Sequence, residues 1–543
     1  MNKNIWKPFI YALLIVSGLL LGIWLKPNTN IGGFFSSGKN KINQTLHIIN
    51  QAYVDSVNND SLEDIAIDEI LKQLDPHSVY IKSTDVKQVN EGLEGNFEGV
   101  GIEFTILDDT IFVANVIKDG PSQKAGIMNG DRIIKVDTQL VAGVGITSEQ
   151  VFKTLRGAAG SKVNVTVYRE ESKRVISYSI KRGQIPIYSI DASLMLNNQT
   201  GYIKIERFAA NTHEEFAQAL QKLQGENMKD LILDLRGNPG GYLSAATEIA
   251  NEFLDNKKLI VYTQSRNKNK TEYKAEQSGN FETGKLIILI DEGSASASEI
   301  VSGAVQDWDR GVIIGRRSFG KGLVQEPFTL SDGSVIRLTI SRYYTPSGRS
   351  IQKDYTNGVE EYEHEIADRF IDGESMGTTS HKQTDSTIYK TANGRIVYGG
   401  GGIMPDVFVP MDTNYFTAFY SALFENKLLQ RFVYSYSNTH RNKLMKNYSD
   451  AASFNSNFKI TNELWNEFLS FVKSKSKKTF KQEDINKSAE KVRLHFKALL
   501  AKQLWQDEGY FMVINSEDRM IKEALKTLGT NYRELLKPKI ETK

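Results

Sequence analysis

Residues 231–241 read Leu231-Ile232-Leu233-Asp234-Leu235-Arg236-Gly237-Asn238-Pro239-Gly240-Gly241. Leu231–Leu235 is a short apolar run suited to a strand buried on both faces. A Gly/Asn/Pro turn follows, and a helical pattern resumes near Leu243. Strand, tight loop and helix form the repeating unit of an α/β layer. Two more runs, Leu286–Ile290 and Val312–Gly315, have the same character, and helical stretches begin near His213 and Ser298. From Gly201 to Pro410, strands therefore alternate with helices. Asp332-Gly333 between two alternating runs predicts a hairpin turn.

Loops at the carboxyl ends of such strands usually carry the site. In the first, Asp234 to Gly241, paired glycines let backbone amides approach an anion and the next helix adds positive potential. An oxyanion hole, a phosphate cradle and a plain turn with positive φ all fit it. The second is Gly293-Ser294-Ala295-Ser296-Ala297-Ser298-Glu299. Small residues leave room around a hydroxyl at a helix start, but Ser296 with Glu299 also spells a capping box. The third, Gly315-Arg316-Arg317-Ser318-Phe319-Gly320-Lys321-Gly322, nearly spells a P-loop, with Gly322 where a magnesium-binding Ser or Thr belongs. What remains is a lone Lys in a glycine-rich loop between apolar strands. Desolvated there, it shifts toward the neutral amine that a general base requires.

Several chemistries are excluded. There is no cysteine, hence no thiol catalysis, disulfide or Cys-ligated metal. The seven His are scattered, and His364-Glu365 lacks a second His four residues on, so no zinc signature exists and no metal or cofactor is expected. No Gly-x-Ser-x-Gly elbow appears. Lys plus Arg number 67 against 65 Asp plus Glu, a balance that argues against nucleic acid as a partner.

The chain's 543 residues suffice for several domains. Phe9–Leu25 (FIYALLIVSGLLLGIWL) is uncharged and as a helix spans about 26 Å, near the short end of what crosses a bilayer. Lys3 and Lys7 precede it, and Trp6 and Trp24 flank it as interfacial anchors. An uncleaved anchor is expected; a cleaved signal peptide is its rival, although the run exits through Trp24-Leu25-Lys26-Pro27 without a small-residue cleavage pattern. Asn28 to Lys39 reads as a tether. Ile42 to about Leu93 has helical spacing, broken at Asp75-Pro76-His77-Ser78, where a polar turn is preferred to a catalytic His77. From Gly95 to Arg182 the period changes to two. Strands are expected at Gly101–Ile106, Thr110–Val116, Arg132–Val136 and Lys162–Tyr168, with helices after Pro121 and Ser148. Glu360 to Asn393 is polar and reads as an irregular insertion. Beyond Val409 the chain is helical and Lys-rich, with helical spacing in Ala418–Tyr434 and Ala489–Trp505.

The run Gly120-Pro121…Ala125-Gly126…Gly130-Asp131-Arg132-Ile133-Ile134-Lys135-Val136 resembles PDZ domains. That resemblance implies capture of peptide ends by strand addition. Gly99, Val100, Gly101 and Ile102 would form the carboxylate-binding loop, in a form that departs from Gly-Leu-Gly-Phe. Leu74-Asp75-Pro76-His77-Ser78, the PDZ run, Gly237–Gly241, Ser294–Ile300, Gly320–Gln325, Tyr344–Arg349 and Gly402-Ile403-Met404-Pro405-Asp406 occur in that order. From about 45 to 410 the sequence resembles the carboxyl-terminal processing peptidases, or tail-specific proteases.

The resemblance implies a serine endopeptidase with Ser296 as nucleophile, Lys321 as general base and Gln325 orienting Lys321. Backbone amides of Ala297 and of Gly240 or Gly241 would form the oxyanion hole. The expected architecture is mixed α/β and α+β and multidomain. It has an anchor at 1–26, a tether at 27–41, a helical segment at 42–94 and a PDZ domain at 95–183. A ClpP/crotonase-like α/β protease core at 184–410 and a helical region at 411–543 follow. Expected partners are proteins or peptides with apolar carboxyl termini and the inner membrane, with the catalytic domain facing the periplasm; a homodimer or an adaptor protein stays open. The alternatives are an inactive PDZ scaffold and a nucleotide enzyme built on Gly315–Lys321.

Overall fold

The computed structural model describes residues 41–255, 257–379, 387–476 and 478–538. The expected anchor at Phe9–Leu25 lies outside them. Among the described residues no helix is long and apolar enough to cross a membrane, and no His/Asp/Glu cluster could hold a metal ion. Two compact units result, one ending at Ile70 and one starting at Leu71. The first carries helix α1 (Lys41–Ala52) and most of α2 (Asn59–Lys72). The expected helical segment is thus divided. After Leu71 it contains a strand, Val79–Ile81, because the Asp-Pro break ends the helix and the extended chain then pairs with Val335–Arg337.

In the larger unit, β1 (Ile102–Leu107), β2 (Thr110–Val116), β3 (Arg132–Val136), β4 (Lys162–Arg169) and β5 (Arg174–Lys181) form an antiparallel sheet in sequence order. Period-two alternation puts Ile111, Val113, Ile133, Val163, Val165 and Val167 into one core beneath helix α3 (Ser148–Leu155). The outer edge of β1 has no strand partner among the described residues.

The next layer is a sheet of β6 (Ile190–Met195), β7 (Thr200–Ile205), β8 (Asp230–Asp234), β9 (Leu286–Ile290), β10 (Val312–Gly315) and β11 (Val407–Phe408). All its pairings are parallel except β6 with β7. Apolar side chains on one face of β7–β9 meet helices α4 (Leu243–Asn251) and α5 (Ala297–Asp307). Those on the other face meet Met520, Ile521, Ala524 and Leu528 of helix Arg519–Gly529. Helix Arg519–Gly529 therefore closes the second face of this sheet. A smaller antiparallel sheet includes the hairpin of Leu323–Thr329 with Val335–Tyr344, turning at Asp332-Gly333 as expected.

One stretch corrects the sequence reading. Glu360 to Asn393 contains a helix, Val359–Ile371, not an irregular insertion throughout. Its buried side chains are Tyr362 and Arg369, and Arg369 is buried through polar contacts: it donates to the carbonyls of Arg317, Ser318 and Phe319 and to Glu365. Hydropathy patterning cannot register a face buried through ion pairs.

Candidate active site

The loop after β8 is held from both sides. Arg236 grips the buried Asp234 carboxylate and reaches Asp518, the N-cap of helix Arg519–Gly529. Burial works against the Asp234 charge, but Arg236 and Lys204 outweigh it and hold the carboxyl at about 2. Asn238 donates to the Ile205 carbonyl and accepts the Gly240 N–H at 2.8 Å. That assignment separates the two glycines. The Gly240 amide is committed to Asn238, whereas the Gly241 amide has no acceptor among the described residues. Gly240 must lack a side chain: with φ at +97°, a Cβ there would stand 2.8 Å from the Ser296 Cβ and 2.9 Å from the Ala297 nitrogen.

The three serines of the second loop differ. Ser294 Oγ donates to the Leu235 carbonyl and Ser298 Oγ to the Asn238 carbonyl, and both side chains are fully buried. Ser296 alone is partly exposed. It precedes α5 with φ +54° and ψ −111°, a strained conformation for a residue with a Cβ. The Ala297 N–H at the helix start has no acceptor among the described residues. It and the Gly241 N–H belong to the two loops that converge on Ser296.

Glu299 reaches back from α5. Its Oε2 accepts the N–H of Ser296 at 2.8 Å and of Lys321 at 2.9 Å, while Oε1 accepts the Gly320 N–H and the Ser318 hydroxyl at 2.7 and 2.5 Å. The Tyr343 hydroxyl lies 2.5 Å from the Lys321 carbonyl and 3.2 Å from that of Ser296. The two segments are thus joined on both sides. Burial and the nearby Arg337 push the Lys321 ammonium below its ordinary value of 10.5. No carboxylate or other acceptor is hydrogen-bonded to its Nζ among the described residues. The site offers a partly exposed serine, unclaimed amides and a buried amine, a set suited to acyl transfer.

Gln325 departs from its expected contact. Its Nε2 donates to Thr339 Oγ1 at 3.1 Å, with no bond to Lys321.

Residues 199–363 match peptidase family S41, residues 99–180 a PDZ domain, and residues 419–507 a family of unknown function (DUF8443). Carboxy-terminal processing protease CtpA of Bacillus subtilis (strain 168) is 33% identical over 359 residues, 65% of this chain and 76% of that protein. The chain belongs to peptidase family S41, with the carboxy-terminal processing proteases. Carboxy-terminal processing protease CtpB of the same strain is 35% identical over 316 residues, 58% of this chain and 65% of that relative's length. A solved photosystem II D1 C-terminal processing protease overlaps 58% of this chain and 84% of its own, at 28% identity and a TM-score of 0.33.

In this S41 protease, the PDZ loop Gly99–Ile102 enters the free-edged strand β1. Gly101 has φ +80°, and the amides of Val100 and Gly101 have no acceptor among the described residues. Phe104 on β1 meets Phe152 on α3 with ring centroids 5.2 Å apart, forming an apolar wall beside that edge.

Sequence reasoning missed Glu299 as more than a helix cap, although its spacing of three from Ser296 was the available signal. It also missed Tyr343, whose partners Ser296 and Lys321 lie on other loops, and Asp75, whose partner Thr339 is 264 positions along the chain. His77 sits in a turn as expected, its Nε2 2.8 Å from the Tyr362 hydroxyl. Burial, then the Lys321 charge, lower its pKa to about 4, so its ring is neutral near pH 7.

Proposed function

We propose that this S41 protease cleaves proteins near apolar carboxyl termini through a Ser296–Lys321 dyad. The observation that carries the reading is the pair of amides, from Ser296 and Lys321, on one oxygen of Glu299. It sets a strained, partly exposed serine beside a buried lysine with a lowered pKa. Neutral Lys321 takes the Ser296 proton as Oγ attacks the scissile carbonyl, and the amides of Ala297 and Gly241 receive the oxyanion. Lys321 then gives the proton to the leaving amine, and water hydrolyses the acyl-enzyme by the reverse roles. Gln325, held by Thr339, is the residue that would steady Lys321 when the site is engaged.

The PDZ domain supplies the substrate: the unclaimed amides of Val100 and Gly101 receive the terminal carboxylate, flanked by Gly99 and Ile102, and the peptide adds to β1. Phe9–Leu25, preceded by Lys3 and Lys7, anchors the chain in the inner membrane with the catalytic domain in the periplasm. The functional division runs anchor, helical segment, PDZ domain, protease core and helical region, with the helical segment divided at Ile70/Leu71.

The test is hydrolysis of an unfolded protein with an apolar carboxyl terminus. Ser296→Ala and Lys321→Ala each lower turnover at least ~1,000-fold, and a serine-directed acylating probe labels Ser296 in the unaltered chain. Unchanged cleavage by Ser296→Ala overturns the proposal.

A further inference from the structure

Asp75 lies in the Asp-Pro-His-Ser turn, far from the catalytic loops in sequence, yet only 8% exposed. Its Oδ1 accepts the amides of His77 and Ser78 at 2.8 and 3.0 Å and the Thr339 hydroxyl at 3.0 Å; its Oδ2 accepts the Ser78 hydroxyl at 2.6 Å. Ser78 Oγ in turn accepts the Thr339 N–H at 3.1 Å, so Thr339 is held by both side chains of the turn.

A carboxylate only accepts, so the single Thr339 hydroxyl proton must point at Asp75. The lone pairs of Thr339 Oγ1 then face outward, and one of them takes the Gln325 Nε2–H at 3.1 Å. A β-bulge between Val324 and Gln325 sets Gln325 opposite Thr339. The chain of donors runs one way, Gln325 to Thr339 to Asp75, and it fixes which end of the Gln325 amide is which. Nε2 faces Thr339. Oε1 has no donor among the described residues, so it remains open to accept one.

We propose that Asp75 is a positioning residue for the reaction: through Thr339 it locks Gln325 with its carbonyl toward Lys321. This rests on the Ser296–Lys321 reading. An amine donating one N–H to Gln325 Oε1 has its lone pair restricted in direction, which favours removal of the Ser296 proton. With the relay reversed, Thr339 donates to Gln325, the amide turns over, and its NH2 opposes the Lys321 N–H groups. The charged or titratable groups acting on Lys321 and this turn are Arg337, Glu299, Asp75, His77 and Lys353.

The experiment measures kcat and KM of the full chain and its variants on a reporter peptide, with melting temperatures alongside. Ser296→Ala separates the two ideas: if it retains turnover the dyad reading fails, and the relay with it. With Ser296→Ala inactive, Thr339→Val is expected to lower kcat about tenfold or more with KM within about twofold, and Thr339→Ser to restore it, because only the hydroxyl relays. Asp75→Asn, whose amide can donate to Thr339, is expected to match Thr339→Val. Wild-type kcat in Thr339→Val or in folded Asp75→Asn overturns the proposal, as does equal loss in Thr339→Val and Thr339→Ser. If Asp75→Asn does not fold, the two Thr339 variants decide.

Discussion

The backbone amides of Ser296 and Lys321 converge on a single atom, Oε2 of Glu299, at 2.8 and 2.9 Å. The residues are far apart in neither space nor sequence, but they stand on different loops after different strands, and one carboxylate joins them. Burial pushes the Glu299 carboxyl up to about 7 from 4.5, against four hydrogen bonds that favour its charge. A protonated carboxyl gives up acceptor capacity that those four donors use.

Glu299→Gln is therefore expected to cut turnover at least ~100-fold, because its NH2 would face donors on one side of the clasp. The pH dependence has a definite sign. Between pH 4.5 and about 7 the folded protein holds a proton that the unfolded chain has released, so this group's contribution to stability falls as pH rises through that window. Activity rises through the same window as the clasp becomes fully accepting. Chemical denaturation at several pH values, repeated on Glu299→Gln, checks this: the variant loses that slope.

Lys321 gives a second, separable pH effect. Its folded pKa lies below 10.5, through burial first and the Arg337 charge second. The unfolded chain binds that proton more tightly, so stability rises with pH through the window ending near 10.5, opposite in sign to Glu299. Arg337→Gln removes a positive neighbour and raises the Lys321 pKa. The acidic limb of the kcat/KM profile is expected to move to higher pH, and an unmoved limb would mean that Lys321 is not the titrating base.

Gly240→Ala tests the approach of the two loops. The added Cβ would meet the Ala295 carbonyl at 2.7 Å, the Ser296 Cβ at 2.8 Å and the Ala297 nitrogen at 2.9 Å, two of them backbone atoms that cannot swing away. Turnover and labelling of Ser296 by an acylating probe are both expected to fall at least ~100-fold. The loss of stability is expected to be about 1–3 kcal/mol, from the positive φ and the crowding.

The strands around the site were legible because buried parallel strands are short apolar runs with glycine loops behind them; Leu286–Ile290 and Val312–Gly315 coincide with the structure residue for residue. The loops after β8 and β9 and the Lys321 loop were legible for the same reason. What was not legible depends on partners remote in sequence. Arg236 with Asp518 joins positions 282 apart, and Thr339 with Asp75 joins positions 264 apart. Neither follows any period. Arg369 defeats pattern reading differently, since it occupies a buried position through hydrogen bonds to three carbonyls rather than through apolar contact.

On β2 of the PDZ domain, Ile111 and Val113 face the domain's own core, so Phe112 and Ala114 point the other way, toward what would be solvent in an isolated domain. Here Phe112 is only 4% exposed, because Tyr434 of helix Leu428–Asn447 stacks on it at 4.8 Å. Asn438 on the same helix donates to the Gly130 carbonyl, and the buried Gln503 to the Ala114 carbonyl. The helical region thus grips the PDZ sheet on the face away from the α3 core. A stacked aromatic pair contributes about 0.5–1.5 kcal/mol beyond its buried area. Tyr434→Ala is therefore expected to speed amide hydrogen exchange across Thr110–Val116 and Arg132–Val136 while leaving β8 and β9 protected. If exchange in these PDZ strands stays at the wild-type rate, the stack does not hold the domain.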